Sequence, residues 1–304
     1  MNYKKKVLLV ILDGLGVAPK SPGNAVSLAN PANLSKLWEV YPRTYLDASG
    51  EVVGLVKDTS GNSEVGHLTL GSGKVHYQNL LKINNAIKKE VFFTNQTLKK
   101  LLNHSRQNRS KIHLMGCFSD GSVHAHINHF IAVLKFLHKE NFDGEVLIHA
   151  FTDGRDTPQR AAKKYFEIME EKFKEYKLGR IASICGRAYA MDRNKIFHRT
   201  QRAADLLLHG NGKHSRSWRD SIEKAYAKGQ TDEYIEPVCI FNQNPQESAI
   251  KDNDSILFMN FRPDRAIQIS KMITGSNVSN IFFAGMVEYE KKYPENVVFP
   301  KEYL

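Results

Sequence analysis

The sequence predicts an α/β protein built on a largely parallel β-sheet. Short unbroken apolar runs, of which residues 7–12 are the first, are typical of strands buried on both faces of such a sheet. Beyond about residue 78, apolar runs alternate with segments of helical hydrophobic spacing, and each run leads into a loop that carries charged residues. This alternation is typical of parallel sheets, which bind ligands at the carboxyl ends of their strands.

The first apolar run ends abruptly in Asp13-Gly14-Leu15-Gly16. A carboxylate at the carboxyl end of a buried strand, followed by glycines that let the backbone turn, is where an α/β protein places a metal ligand or an acid. A simple turn aspartate accounts for Asp13 equally well. Residues 30–40 then carry a weak helical pattern, and residues 44–56 predict one or two short strands.

Ser63 follows the predicted turn 59–62 and stands at a plausible helix start. A hydroxyl there faces free backbone N–H groups and the positive end of the helix dipole, which stabilise an anion or a phosphorylated oxygen. Ser63 is therefore a candidate nucleophile, although a helix N-cap is an alternative interpretation. Asp13 and Ser63 together suggest a hydroxyl activated by a bound cation.

The flexible segment 71–73 places a domain boundary near residue 77. Four strands are predicted beyond it, at residues 111–118, 145–151, 180–185 and 255–260. The loops that follow these strands carry His124, Arg155, Asp156, Arg187, Arg193, Arg262 and Arg265. Because the carboxyl ends of parallel strands share one edge, we expect these side chains to form a common cationic pocket. Arginine's planar fork pairs with carboxylate and phosphate, which favours a small ligand bearing both groups.

The histidines of His124-Ala125-His126-Ile127-Asn128-His129 invite interpretation as a metal site. If a helix begins near His124, the ~100° turn per residue places His124 and His126 about 200° apart, so they cannot converge on one ion. His124 better suits a phosphate contact or a proton shuttle, and His126 and His129 are predicted to be ordinary residues of a polar helix face.

Basic residues exceed acidic ones, 43 against 32, which favours an anionic partner. No basic segment interleaves aromatics as a single-strand nucleic-acid platform does, and no run approaches the ~20 apolar residues of a membrane span. The three cysteines match neither a zinc spacing nor a disulfide framework. We therefore expect a cytoplasmic protein that binds neither nucleic acid nor membrane. A final strand at residues 281–286 and a linker over residues 293–304 complete the prediction.

Several of these segments carry a family resemblance. The words LLVILDGLG, TSGNSEVGHLTLGSGKVHYQ, SDGSVHAHINH, FTDGRDTP, GRAYAMDRN and NFRPDRAIQIS resemble, in the same order, those of the cofactor-independent (2,3-bisphosphoglycerate-independent) phosphoglycerate mutases of the alkaline phosphatase superfamily. The resemblance extends from about residue 7 to about residue 285.

The resemblance implies an incomplete alkaline-phosphatase-like domain at residues 1–77, followed by a complete α/β phosphotransferase domain at residues 78–292. Members interconvert 3-phosphoglycerate and 2-phosphoglycerate through a phosphoserine, with two divalent metals, usually Mn²⁺. By motif match, Ser63 would be that serine and a metal ligand, and Asp13 would be a second ligand. The residues that would hold the phosphoglycerate are His124, Arg155, Asp156, Arg187, Arg193, Arg262 and Arg265. The functional molecule would be a monomer.

The sequence departs from the family pattern in one large respect. The remaining metal ligands lie in a C-terminal half without counterpart here, and no Asp-His dipeptide occurs in the 304 residues. Two ligands do not satisfy two cations, so we expect this polypeptide to be inactive by itself. We also expect residues 7–12 to lack most of their neighbouring strands. A non-catalytic phosphoglycerate-binding module is the alternative.

Overall fold

A computed structural model describes residues 6–57, 59–241 and 243–300. The chain divides into two compact units, Met1–Gln78 and Asn79–Leu304. The α/β class predicted for the chain is confirmed, and the sheet lies in the second unit.

In its described residues, the first unit contains three helices and a 3₁₀ turn at Glu51–Val53. The helices are α1 (Ala25–Ala29), α2 (Ala32–Val40) and α3 (Ser63–Ser72). Asn62 caps α3, because its side chain accepts a hydrogen bond from the backbone N–H of Val65. At the other end of α3, Gly73 adopts the left-handed conformation (φ +66°) that a residue with a Cβ disfavours.

The strands predicted at residues 7–12 and 44–56 are wrong for the part of the first unit that the structure describes. Residues 7–12 form no regular element, and Val7 and Leu8 are 91% and 86% exposed. A strand needs a neighbour to bond its backbone groups and to cover its apolar side chains, and no strand pairs with either segment in the described residues. The apolar pattern is present, but residues 6–57, 59–241 and 243–300 contain no strand that pairs with it.

The second unit surrounds one sheet with eight helices in its described residues. The helices are α4 (Asn79–Lys88), α5 (Gln96–Asn108), α6 (Ile127–Lys139), α7 (Ala162–Tyr176), α8 (Arg187–Ala190), α9 (Phe197–His209), α10 (Trp218–Ala227) and α11 (Ile267–Thr274). Short 3₁₀ turns occupy Val91–Thr94, Asp232–Tyr234, Pro245–Glu247 and Pro263–Arg265.

The sheet has the strand order β4-β5-β3-β2-β1-β6-β7-β8. Its strands are β1 (Ile112–Cys117), β2 (Val146–Thr152), β3 (Arg180–Gly186), β4 (Lys213–Ser215), β5 (Val238–Ile240), β6 (Ser255–Phe258), β7 (Phe282–Gly285) and β8 (Asn296–Val297). All neighbours are parallel except β3 and β5. The helices α6 and α7 connect β1 to β2 and β2 to β3, which follow one another in one direction across the sheet. The helix α11 connects β6 to β7, which follow one another in the opposite direction. Because such crossovers are right-handed, α6 and α7 lie on the face of the sheet opposite α11. Every residue of β1 and β2 is buried, as the apolar runs predict.

A buried polar chain crosses the four central strands. Asp254 Oδ2 lies 3.0 Å from His113 Nε2, and His113 Nδ1 lies 2.8 Å from His149 Nε2. The chain ends where His149 Nδ1 meets Ser183 Oγ at 2.7 Å. With both rings neutral, one assignment satisfies every atom: the serine donates to His149, His149 donates to His113, and His113 donates to the carboxylate. An unpaired buried polar group costs much free energy. This series of hydrogen bonds therefore favours the observed order and register of β3, β2, β1 and β6.

Residues 293–300 are the described part of the segment predicted to be a linker, and they pair and pack within the second unit. β8 pairs with β7, and the Phe299 backbone N–H donates to the Met286 carbonyl. The Phe299 ring is buried and stacks on Phe92 at 6.2 Å. Charged residues and prolines surround this segment in the sequence. The buried side chains of Val298 and Phe299 and the pairing of β8 with β7 nevertheless hold it against the second unit. Residues 301–304 lie outside the described residues.

Candidate functional site

Four loops bring the predicted ligand-binding residues to the carboxyl edge of β1, β2, β3 and β6. The residues are His124 after β1, Arg155 and Asp156 after β2, Arg187 and Arg193 after β3, and Arg262 and Arg265 after β6. Contacts within 4 Å link His124, Asp156 and Arg187, and others link Arg193, Arg262 and His124 through Asp264. We call these seven residues the arginine cluster. All of it lies in the second unit.

Asp153 is the buried centre of this cluster, with 3% of its surface exposed. It accepts hydrogen bonds from Ser119 Oγ at 2.6 Å, from Arg187 Nη1 at 2.7 Å, and from the backbone N–H groups of Arg155 and Asp156. Burial by itself raises the pKa of Asp153, but these hydrogen bonds outweigh it and hold the pKa below its usual value. A single carboxylate therefore joins the loops that follow β1, β2 and β3.

Arg187 is the buried guanidinium of the cluster, 3% exposed, and it lies between two carboxylates. Its Nη1 donates to both Asp153 and Asp156. Gly186, which precedes it, ends β3 where a Cβ would lie 2.4 Å from the Glu233 carbonyl oxygen, so only glycine fits there. The tight end of β3 thus sets the direction in which Arg187 enters the cluster.

Three other guanidinium groups are about half exposed. Arg193 donates to Asp264 at 2.5 Å, Arg262 Nε lies 3.1 Å from the same carboxylate, and Arg155 lies 3.5 Å from Glu233. The side chains of Arg155, Arg193 and Arg262 are 57%, 47% and 50% exposed. They are therefore accessible to a ligand in solution.

Arg265 differs from the other four arginines. Its Nη1 donates to the Met191 carbonyl at 3.1 Å, and no carboxylate of the described residues lies within 4.0 Å of it. Its pKa is lowered, first by burial and then by the positive charges of Arg187, Arg193 and Arg155. Asp264 offsets this repulsion in part from a longer distance, so Arg265 is the one arginine of the cluster without an ion pair within 4.0 Å in the described residues.

His124 is buried and lies between two carboxylates. Its Nε2 is 3.9 Å from Asp156 Oδ2 and its Nδ1 is 3.8 Å from Asp264 Oδ1, both beyond hydrogen-bond length. Burial, and next the charge of Arg187, lower the pKa of His124 to about 4. The imidazole is neutral at neutral pH and offers one donor and one acceptor to a ligand.

Sequence reasoning missed Asp153 and Asp264. Both belong to motifs of the sequence, TDGRD and FRPDR: Asp153 directly follows β2, and Asp264 lies in the 3₁₀ turn of the loop after β6. Of the carboxylates in these loops the sequence pointed only to Asp156, although guanidinium groups that gather in a protein need counter-charges.

The neighbouring His126 and His129 have separate roles in the structure. α6 begins at Ile127 rather than at His124, and His126 caps it by accepting from the Asn128 N–H. His129 is fully buried, with Nε2 2.9 Å from Asn84 Oδ1, so its predicted place on a polar face is wrong. The apolar neighbours that cover this face come from distant segments, which helical spacing does not reveal.

Ser63 and Asp13 are both exposed residues of the first unit. Ser63 is the first residue of α3, and its Oγ lies 3.2 Å from His67 Nδ1. Asp13 lies in a turn closed by the hydrogen bond from the Leu15 N–H to the Leu12 carbonyl. No hydrogen bond joins Asp13 to Ser63 in the described residues.

The described residues do not fit a pair of divalent cations. No group of three or more His, Cys, Asp and Glu side chains that could hold a metal occurs among them. A cation such as Mn²⁺ prefers about six ligands, of which Asp13 and Ser63 would supply two. Asp13 and Ser63 by themselves therefore do not complete a cation site.

Fold and site together define an α/β domain with a guanidinium-rich cluster at the carboxyl edge of a largely parallel sheet. A family model described as "BPG-independent PGAM N-terminus" matches residues 83–294. The chain belongs to this family, the N-terminal region of the 2,3-bisphosphoglycerate-independent phosphoglycerate mutases, so the resemblance identified from the sequence is confirmed.

Individual relatives agree with the family model. The chain is 43% identical over 295 residues to the 2,3-bisphosphoglycerate-independent phosphoglycerate mutase of Clostridium beijerinckii and 44% identical over 301 residues to that of Clostridium tetani. These alignments cover 95% and 97% of this chain but 57% and 58% of the relatives. A crystal structure of Leishmania mexicana phosphoglycerate mutase at low cobalt concentration matches with a TM-score of 0.74 and 26% identity, over 95% of this chain and 56% of that one. The chain thus spans less than three fifths of the length of these relatives.

Proposed function

We propose that the arginine cluster binds phosphoglycerate and that this chain serves the interconversion of 3-phosphoglycerate and 2-phosphoglycerate through a phosphoserine at Ser63. Family membership supports the reaction, and the cluster supports the substrate class. Phosphoglycerate carries a phosphate and a carboxylate on three carbons, and guanidinium groups pair with both.

Arg265 is the observation that carries this proposal. It is half-buried, surrounded by the charges of Arg187, Arg193 and Arg155, and without a carboxylate partner in the described residues. An anion bound there would relieve that repulsion and would gain charge-assisted hydrogen bonds. Arg193 and Arg262, which are already accessible, would hold the second anionic group.

The remaining roles follow the same proposal. Arg187 and Asp156 would orient the ligand from the buried side of the cluster. Neutral His124 would contact an oxygen of the phosphate or move a proton. Ser63 would accept the phosphoryl group, and Asp13 and Ser63 would be ligands of Mn²⁺ in a site that needs further ligands. We propose that the chain alone binds the substrate without turning it over, because its described residues do not complete a cation site.

Calorimetry tests the binding proposal. Titration of the purified chain with 3-phosphoglycerate should give saturable binding, and Arg265→Ala should lose ~2 kcal/mol of binding free energy, roughly thirtyfold in Kd. Arg216→Ala is the matched control, because Arg216 is an exposed arginine far from the cluster. It follows β4, which runs opposite to β3, so Arg216 lies at the other edge of the sheet. Equal losses in the two variants, or no binding at all, would contradict the proposal.

A coupled assay separates the enzyme from a binding module. Mn²⁺ and 3-phosphoglycerate are added to the chain, and enolase converts any 2-phosphoglycerate that forms. Turnover would contradict the proposed inactivity of the chain alone. The second candidate, a non-catalytic phosphoglycerate-binding module, is favoured by the complete cluster in the second unit, and it would bind without turnover even when the rest of a family enzyme is supplied.

Composition and the family comparison support further proposed properties. A small phosphorylated acid is the proposed partner, rather than nucleic acid or membrane, and the functional molecule is proposed to be a monomer in the cytoplasm. The cysteines support a reducing compartment, since Cys117, Cys185 and Cys239 are free and buried. No helix in the described residues is long and apolar enough to cross a membrane.

A further inference from the structure

Asp264 occupies a position that an anionic ligand group would otherwise take. Its Oδ2 accepts a hydrogen bond from Arg193 at 2.5 Å, and its Oδ1 lies 3.1 Å from Arg262 Nε. The two arginines follow different strands, β3 and β6, so a single carboxylate of the protein holds together two otherwise accessible guanidinium groups. A phosphate or carboxylate of a ligand would form the same paired contacts.

The hydrogen bonding of Asp264 is incomplete on the side that faces His124. The Nδ1 of His124 is buried and has no hydrogen-bond partner in the described part of the chain. Asp264 Oδ1 is also buried, and it has the ion-pair contact with Arg262 but no hydrogen bond in the described residues. The two atoms are 3.8 Å apart, too far for a hydrogen bond to each other. Buried polar atoms without partners are costly, so the contact between Asp264 and this edge of the cluster is poorly satisfied. A ligand oxygen in place of the carboxylate would meet both guanidinium groups and His124.

We propose that Asp264 is a specificity-determining residue, an internal counter-anion that a ligand must displace from Arg193 and Arg262. This inference rests on the proposed anion-binding function of the cluster. A ligand with one anionic group, such as inorganic phosphate, either binds Arg265 alone or competes with Asp264. A ligand with a phosphate and a carboxylate pairs with Arg265 through one group, and this anchoring raises the local concentration of the second group beside Asp264. The cluster therefore selects ligands that carry two anionic groups.

Calorimetric titration of the full chain with inorganic phosphate tests the inference. Asp264→Asn keeps the size of the side chain and removes its charge, so it should raise the affinity for phosphate about tenfold. The affinity for 3-phosphoglycerate should change less. The preference for 3-phosphoglycerate over phosphate, measured as the ratio of their two affinities, should therefore decrease. Asp120→Asn is the matched control: Asp120 is a carboxylate at the same edge of the sheet, but it contacts Lys164 and Tyr165 rather than the arginine cluster.

An unchanged or weakened affinity for phosphate in Asp264→Asn would overturn the inference and would make Asp264 a residue that only positions the arginines. An equal gain in Asp120→Asn would also overturn it, because the effect would then follow from net charge. Asp264→Ser, with the same expected gain, is the second variant, and circular dichroism checks that each variant is folded. Failure of the unmodified chain to bind 3-phosphoglycerate would count against the proposed function, whereas the phosphate titrations compare the variants independently of that result.

Discussion

Arg187 Nη1 lies 2.7 Å from Asp153 Oδ1, and each of the two side chains is only 3% exposed. This ion pair joins the end of β3 to the loop after β2 beneath the accessible arginines. Burying two charges is costly, so the pair is stable only because Ser119 and two backbone N–H groups also bond the carboxylate. The interior of the cluster is therefore a preformed support, and its accessible arginines are the part that a ligand meets.

Removal of Asp153 should destabilise the protein strongly. Asp153→Ala leaves Arg187 with Asp156 as its remaining carboxylate and leaves Ser119 and two backbone N–H groups without an acceptor. We expect a loss of about 3 kcal/mol in the free energy of unfolding, measured by urea denaturation. Asp143→Ala, at an exposed position, is the control and should change stability by less than about 0.5 kcal/mol. Similar losses in the two variants would show that the buried pair contributes little.

Acid should destabilise the protein through its buried histidines. Burial, and next the charge of His126, lower the pKa of His129 to about 3 from an ordinary value of 6.5. As the pH falls below 6.5, the unfolded chain binds a proton at His129 and the folded chain does not, so the stability that is present above pH 6.5 is lost towards pH 3. Each such histidine contributes a slope of up to about 1.4 kcal/mol per pH unit.

His129→Gln tests this origin of the acid sensitivity. Its free energy of unfolding, measured by denaturant titration across that pH range, should fall less steeply than that of the unmodified protein. His198→Gln removes an exposed histidine and should leave the slope unchanged. The lowered pKa values of His124, His126 and His149, and those of carboxyls such as Asp153, contribute to the slope that remains. A slope that is the same in both variants would contradict the assignment.

Ligand binding should depend on ionic strength. Arg155, Arg193 and Arg262 are about half exposed, so salt screens their attraction to an anion, whereas the buried Arg187 is screened less. Raising the ionic strength from 0.01 M to about 0.15 M shortens the Debye length from about 30 Å to about 8 Å and should weaken 3-phosphoglycerate binding several-fold. Calorimetry at a series of KCl concentrations measures this. An affinity independent of salt would mean that the accessible arginines do not contribute.

Backbone amides should exchange with solvent much faster at residues 7–12 than in β1. Residues 7–12 form no strand and expose their apolar side chains, whereas β1 is bonded to β2 on one side and to β6 on the other. Hydrogen exchange followed by mass spectrometry should show residues 7–12 fully exchanged at the first time point and residues 112–117 protected. Equal protection of the two segments would show that residues 7–12 have found a pairing partner.

The sequence by itself determined which residues reach the site. Buried parallel strands are recognisable from local apolar runs, and the loop that follows such a strand lies at a known edge of the sheet. The positions of His124, Arg155 and Arg187 therefore followed from the residues that surround them in the sequence. The family words, which occur in order along the chain, led to the same residues.

Only the tertiary structure decided how those residues are paired and what covers them. Arg187 and Asp153 are 34 residues apart in the chain, and Arg193 and Asp264 are 71 apart, so their contacts depend on distances through space that no local pattern records. The burial of His129 and the pairing of β8 with β7 have the same origin. Residues 7–12 show the converse, because an apolar run becomes a strand only when another strand is present to bond it.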